Sequence, residues 1–68
     1  MINRLTLREM EVLRWTAFGK TSKETSEILN ISINTVNFHI KNMMSKLGTV
    51  NRASTVASAI KTGLLEMQ

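Results

Sequence analysis

Apolar positions recur along this chain with the spacing of helices. Met10, Leu13 and Ala17 stand at i, i+3 and i+7, and Val12 widens their stripe. Ahead of them, Thr6-Leu7-Arg8-Glu9 has the form of a capping box, in which Thr6 takes orphan amides and Glu9 reaches back. Gly19 follows where a left-handed stop is wanted, so a first helix is predicted over about 7–18. A second capping box, Thr21-Ser22-Lys23-Glu24, opens a short helix to about Leu29, and Asn30 suits a left-handed turn. Ser32 can cap a third helix whose stripe is Ile33, Val36, Ile40, Met43, Met44 and Leu47, with Gly48 ending it. Asn51 can cap a fourth, with Ala53, Val56, Ala57, Ile60 and Leu64 on one side and Gly63 near its end. The expected fold class is all-α: four helices and no strand, one domain over 1–68 with its core at about 5–65.

Only Asn30-Ile31-Ser32 separates the second helix from the third, and a short helix, a tight turn and a longer helix make the helix-turn-helix pattern. The third helix has two contrasting faces. At about 100° per residue, Val36, Ile40, Met43 and Leu47 share a narrow arc with Ile33 and Met44 at its edge. The opposite arc carries Asn34, Phe38, Lys41, Asn42 and Ser45, with Asn37 at its flank. An ordinary solvated face would carry Glu and Lys pairs. Here no carboxylate occurs between Glu27 and Glu66. Amides can pair with adenine, Lys can approach guanine O6 and N7, and a phenyl ring can touch a thymine methyl.

Charge agrees with that face. Nine Lys and Arg stand against five Glu and no Asp, a net charge of +4, which suits a polyanionic partner. With 68 residues there is room for one small core and little for a substrate cleft, so an enzyme is not expected. The absence of Cys excludes disulfides and thiolate metal sites. No apolar run approaches the ~20 residues of a membrane span, and the N-terminus lacks an apolar signal core, so a cytoplasmic location is expected.

Several stretches together resemble the LuxR-type helix-turn-helix domain. They are Leu5-Thr6-x-Arg8-Glu9-x-Glu11-Val12-Leu13, Gly19-Lys20-Thr21-Ser22-Lys23-Glu24, Ile31-Ser32-x-x-Thr35-Val36-x-x-His39 and Asn42-Met43-x-x-Lys46-Leu47-Gly48. The Asn51-Arg52 pair and the closing Gly63-Leu64-Leu65 continue the likeness. Leu13-Arg14-Trp15-Thr16-Ala17 and Thr35-Val36-Asn37-Phe38-His39 are most similar to its quorum-sensing branch. The resemblance implies a bacterial transcriptional regulator, or the DNA-binding domain of one, that binds double-stranded DNA as a homodimer without a cofactor. It implies that the third helix enters the major groove. By position, Asn37, Phe38 and Lys41 match base-reading sites, and Asn34 on the same arc joins them. Lys20, Thr21, Lys23, Thr35 and Lys46 match sites at the DNA backbone, to which Asn42 and Ser45 are added. The family usually sets this domain behind a sensor or receiver, which this sequence does not contain.

The remaining residues are read more plainly. His39 lies at the edge of the apolar arc and is expected to hydrogen-bond a neighbouring helix, since one His without Cys or Asp makes no metal site. Trp15 reads as core, whereas Phe18 fits either core or a docking surface for a sensor domain or RNA polymerase. Where the family has Ile-Ala, this chain has Thr25-Ser26; a buried Thr25 hydroxyl would need the carbonyl four residues earlier, with Ile28 restoring apolar area. On the fourth helix Val56, Ala57 and Ile60 are expected to face inward, leaving the small residues Thr55, Ser58, Ala59 and Thr62 as a homodimer surface. The rival function is a helical adaptor that docks a protein partner through the third helix's outer face.

Overall fold

The computed structural model describes residues 5–63, which form four helices in the order α1 (Leu7–Ala17), α2 (Ser22–Leu29), α3 (Ile33–Leu47) and α4 (Arg52–Lys61). Among the described residues there is no strand. Each helix starts where a side chain can take an orphan amide. Thr6 and Thr21 accept from the N–H groups of Glu9 and Glu24, whose carboxylates accept in turn from the cap amides. Ser32 accepts from the Thr35 amide, and Asn51 from that of Ser54. Helices α2 and α3 stop at residues in the left-handed region, Asn30 at φ 58° and Gly48 at φ 67°. Asn tolerates that conformation through its short polar side chain and Gly through having none. Leu64 and Leu65, invoked above for the end of the fourth helix, lie outside the described residues.

The core is small. Val12 and Leu13 from α1, Val36, Ile40 and Met43 from α3 and Ala59 from α4 are buried. Leu5, Met10, Ala17, Leu29, Ile31, Met44, Leu47 and Val56 pack around them. Fully burying a side chain such as Leu13 stabilises by ~1.5–3 kcal/mol. Helix α3 packs against all three other helices, so its inner stripe is the hub of the domain.

Helix α4 corrects the sequence expectation. Thr55 and Ala59 are 2% and 0% exposed, whereas Ala57 is exposed and Ile60 is 43% exposed. The helix is turned by about one residue, ~100°, from the expected orientation. Thr55 and Ala59 therefore cannot form a surface between two copies. The inward choice is physically consistent. Thr55 Oγ1 donates to the Asn51 carbonyl at 2.7 Å and lies 2.7 Å from Thr49 Oγ1, so its hydroxyl is satisfied when buried. Ala59, being small, lets the helix pack closely.

Two buried polar groups differ in how they are satisfied. Thr25 is fully buried, but its Oγ1 has no hydrogen-bond partner, and Ile28 is exposed rather than compensating. The expected bond from the Thr25 hydroxyl to the carbonyl four residues earlier is not made. Glu9 is buried too. Its Oε1 accepts from the Thr6 amide at 2.8 Å and from Lys46 Nζ at 2.7 Å, joining the start of α1 to the last turn of α3. Burial raises the Glu9 pKa, but the Lys46 hydrogen bond, the Thr6 amide and the Lys46 charge outweigh it and hold the carboxyl below its ordinary value.

Two outcomes follow for stability. Thr25→Val keeps the branched shape and removes an unsatisfied hydroxyl, so it should stabilise by ~1 kcal/mol and raise Tm by roughly 4–8 °C. A thermal melt that shows no gain would mean the hydroxyl is satisfied in solution. The folded pKa of Glu9 lies below the unfolded one. Its contribution is therefore complete above about pH 4.5 and is lost as pH falls through the folded value. Glu9→Gln should cost ~1–2 kcal/mol at neutral pH. Urea denaturation across pH should show that gap narrowing on the acid side of about 4.5.

Candidate nucleic-acid interface

Burial of Val36, Ile40 and Met43 fixes which side of α3 faces water. Asn34, Asn37, Phe38, Lys41 and Ser45 are all exposed, and Asn42 is half-buried beside them. Phe38 is 59% exposed, a large apolar ring among amides and a cation. It meets His39 edge-on, with ring centroids 5.8 Å apart. His39 is half-buried, and the expected hydrogen bond to a neighbouring helix is absent among the described residues. The four residues read as base-contacting therefore share one solvent face of a 15-residue helix.

The start of α2 flanks that face. Thr21 and Lys23 are exposed, and Lys20 is half-buried just ahead of them. Lys20 and Thr21 line a shallow cleft with Thr16, Gly19, Arg52, Ala53 and Val56. The Glu24 carboxyl is held below its ordinary value, first by the Thr21 amide and further by the nearby Lys20 charge. Thr35 is half-buried in the cap of α3, its Oγ1 2.9 Å from Ser32 Oγ.

Lys46 has a second role. Expected at the DNA backbone, it also pairs with buried Glu9 at 2.7 Å while its side chain stays 31% exposed, so it ties α1 to α3 as well. The other basic candidates, Lys20, Lys23 and Lys41, form no ion pair among the described residues. Phe18, at the end of α1, is exposed with its ring centroid 6.0 Å from that of half-buried Trp15. That places Phe18 outside the core.

Sequence reasoning missed two residues that contact the candidate interface. Ser22 Oγ donates to Asn37 Oδ1 at 2.8 Å, and Arg52 from α4 reaches the same pair. Ser22 and Arg52 lie 15 residues from Asn37 on either side, so no local spacing signals the cluster.

No helix among the described residues is long and apolar enough to cross a membrane, and none of their acidic or His side chains cluster as a metal site. The profile of the bacterial regulatory proteins of the luxR family matches residues 3–59. The transcriptional activator protein SolR of Ralstonia solanacearum is 52% identical over 61 residues, covering 90% of this chain and 26% of SolR. The chain thus spans about a quarter of the length of such curated relatives. The solved structure of the transcription factor GerE superimposes with a TM-score of 0.89 at 33% identity, covering 94% of this chain and 96% of that one. The Vibrio cholerae VqmA dimer, described in the absence of its target DNA, matches with a TM-score of 0.86 at 31% identity, covering 90% of this chain and 28% of that one. A helix-turn-helix with an acid-free outer face, matched across most of its length by these regulators, places the chain in the luxR family of bacterial regulatory proteins, as a helix-turn-helix domain of the DNA-binding transcriptional regulators.

Proposed function

We propose that the domain binds double-stranded DNA sequence-specifically in the bacterial cytoplasm, with α3 in the major groove, as a transcriptional regulator or the DNA-binding domain of one. The observation that carries this reading is the outward face of α3, where Asn34, Asn37, Phe38 and Lys41 stand together with no carboxylate on the helix. A helix fits the major groove, which is about 12 Å wide, and these side chains can address base edges and a thymine methyl. Lys20, Thr21, Lys23, Thr35 and Ser45 flank the face, where phosphates would run. The family's members are transcriptional regulators, which supports recognition as the activity.

The turned α4 supports a pairing of two copies through a different strip. Ala53, Ala57 and Ile60, at i, i+4 and i+7, are exposed on one side of the helix. That apolar strip replaces the surface expected from Thr55, Ser58, Ala59 and Thr62, because a twofold contact needs side chains that the monomer leaves uncovered. VqmA, which shares the fold, is described as a dimer. Two copies joined through α4 would set two α3 helices in successive grooves on an inverted repeat, with half-site centres ~10 bp apart.

Selection from a random duplex pool tests the function, followed by titrations at several salt concentrations. Lys41→Ala should weaken the selected site by ~1–3 kcal/mol and relax preference at one base pair. Lys23→Ala should instead weaken all sequences alike and flatten the log K against log salt slope by ~0.9 per bound subunit. An adaptor that docks a protein would select no duplex. Ala57→Glu should abolish cooperative filling of the full repeat while single half-site binding persists. Unchanged cooperativity in gel-shift titrations would move the pairing to another surface.

A further inference from the structure

Asn37 is exposed on the groove side of α3, yet its carboxamide is tied down. Its Oδ1 accepts from Ser22 Oγ at 2.8 Å and lies 3.4 Å from Arg52 Nη2. Arg52 Nη2 also donates to Ser22 Oγ. The three groups belong to three helices: the first turn of α2, the second turn of α3 and the first residue of α4.

Chemistry decides which way the amide is turned. A guanidinium can only donate, so the Ser22 oxygen that meets Arg52 must accept. Ser22 Oγ keeps its own hydrogen and can donate it to the amide oxygen of Asn37. Turning the carboxamide over would set its NH2 against the Arg52 guanidinium, which can only donate. The oxygen of Asn37 is therefore held inward by both neighbours. Its Nδ2 has no hydrogen-bond partner among the described residues.

An unrestrained Asn reads adenine with both ends of its amide, accepting from N6 and donating to N7. With the oxygen engaged, only the donor end remains. Guanine offers two acceptors, N7 and O6, to such a donor, whereas adenine offers N7 alone and sets its N6 amino group beside the amide NH2. We infer that Ser22 and Arg52 are positioning residues that hold the Asn37 oxygen inward, so that Asn37 presents only donors and selects guanine over adenine at the base pair it meets. The inference rests on the DNA-binding reading and sharpens it.

The test uses the full chain and versions of its selected duplex changed one base pair at a time. The wild type should favour guanine over adenine about fivefold or more at one position, the lower end of discrimination by a single base contact. Removing Arg52 also removes a charge, so the readout is the guanine-to-adenine ratio and not the affinity. In the Ser22→Ala, Arg52→Ala double variant the freed amide should move that ratio toward adenine by about fivefold, with other positions unchanged. In an Asn37→Ala background the same two substitutions should leave the ratio unchanged, because the restraint acts through Asn37. A second measurement needs no DNA. The side-chain ¹⁵N order parameter of Asn37 should be high in the free wild type and fall in Ser22→Ala. A wild type that prefers adenine there, an unchanged ratio in the double variant, or an Asn37 amide as mobile as an ordinary surface one would each overturn the assignment. Selection of no duplex at all would take the DNA-binding reading with it, whereas retained selection with an unchanged ratio would sink the restraint alone.

Discussion

Three side chains of α3, Val36, Ile40 and Met43, are buried against the other helices, and the residues between them make the candidate interface. One helix thus supplies the hub of the core and the recognition face together. The two roles are locked in phase at 3.6 residues per turn. A slip of one residue in how α3 packs would turn its outer face by ~100° and swing Asn37, Phe38 and Lys41 together away from the start of α2. The domain needs little else to aim its contacts, because burying the stripe already points them outward.

Polar groups then set how firmly that aim is held. Glu9 ties the start of α1 to the last turn of α3 through Lys46, and one carboxylate oxygen serves both the helix cap and the ion pair. Truncating Lys46 would leave the buried Glu9 carboxylate without its counter-ion, the costly side of the pair, whereas Lys46 itself is partly solvated. Ser22 and Arg52 make the corresponding connection on the outer side, where α2 and α4 converge on Asn37. Thr25 runs the other way. It fills the α2 side of the core with an unsatisfied hydroxyl, and nothing in the structure offsets that cost.

The sequence was most legible where the deciding physics is local. Thr6, Thr21, Ser32 and Asn51 begin helices as expected, and Asn30 and Gly48 end them, because a cap is decided by a residue and its neighbours three or four positions away. The face of α3 was legible because its apolar stripe is unambiguous. The family was legible because short motifs span most of the chain. Helix α4 was not legible in the same way. Ala53, Ala57 and Ile60 are more apolar than Thr55, so apolarity alone chose the wrong stripe, and only the bonds of Thr55 to Asn51 and Thr49 made its burial tolerable.

By itself the sequence determined four capped helices, a helix-turn-helix and an acid-free outer face on the third helix. Each of these depends on residues within a few turns of one another, or on residue types that any arrangement would expose. Tertiary structure decided what depends on contacts between distant residues: the rotation of α4, the pairing of Lys46 with Glu9 across 37 positions, and the convergence of Ser22 and Arg52 on Asn37. The physical reason is that a side chain's role as surface, pair or restraint is set by what packs beside it. One-dimensional periodicity carries the direction in which a residue points but not the neighbour it will meet.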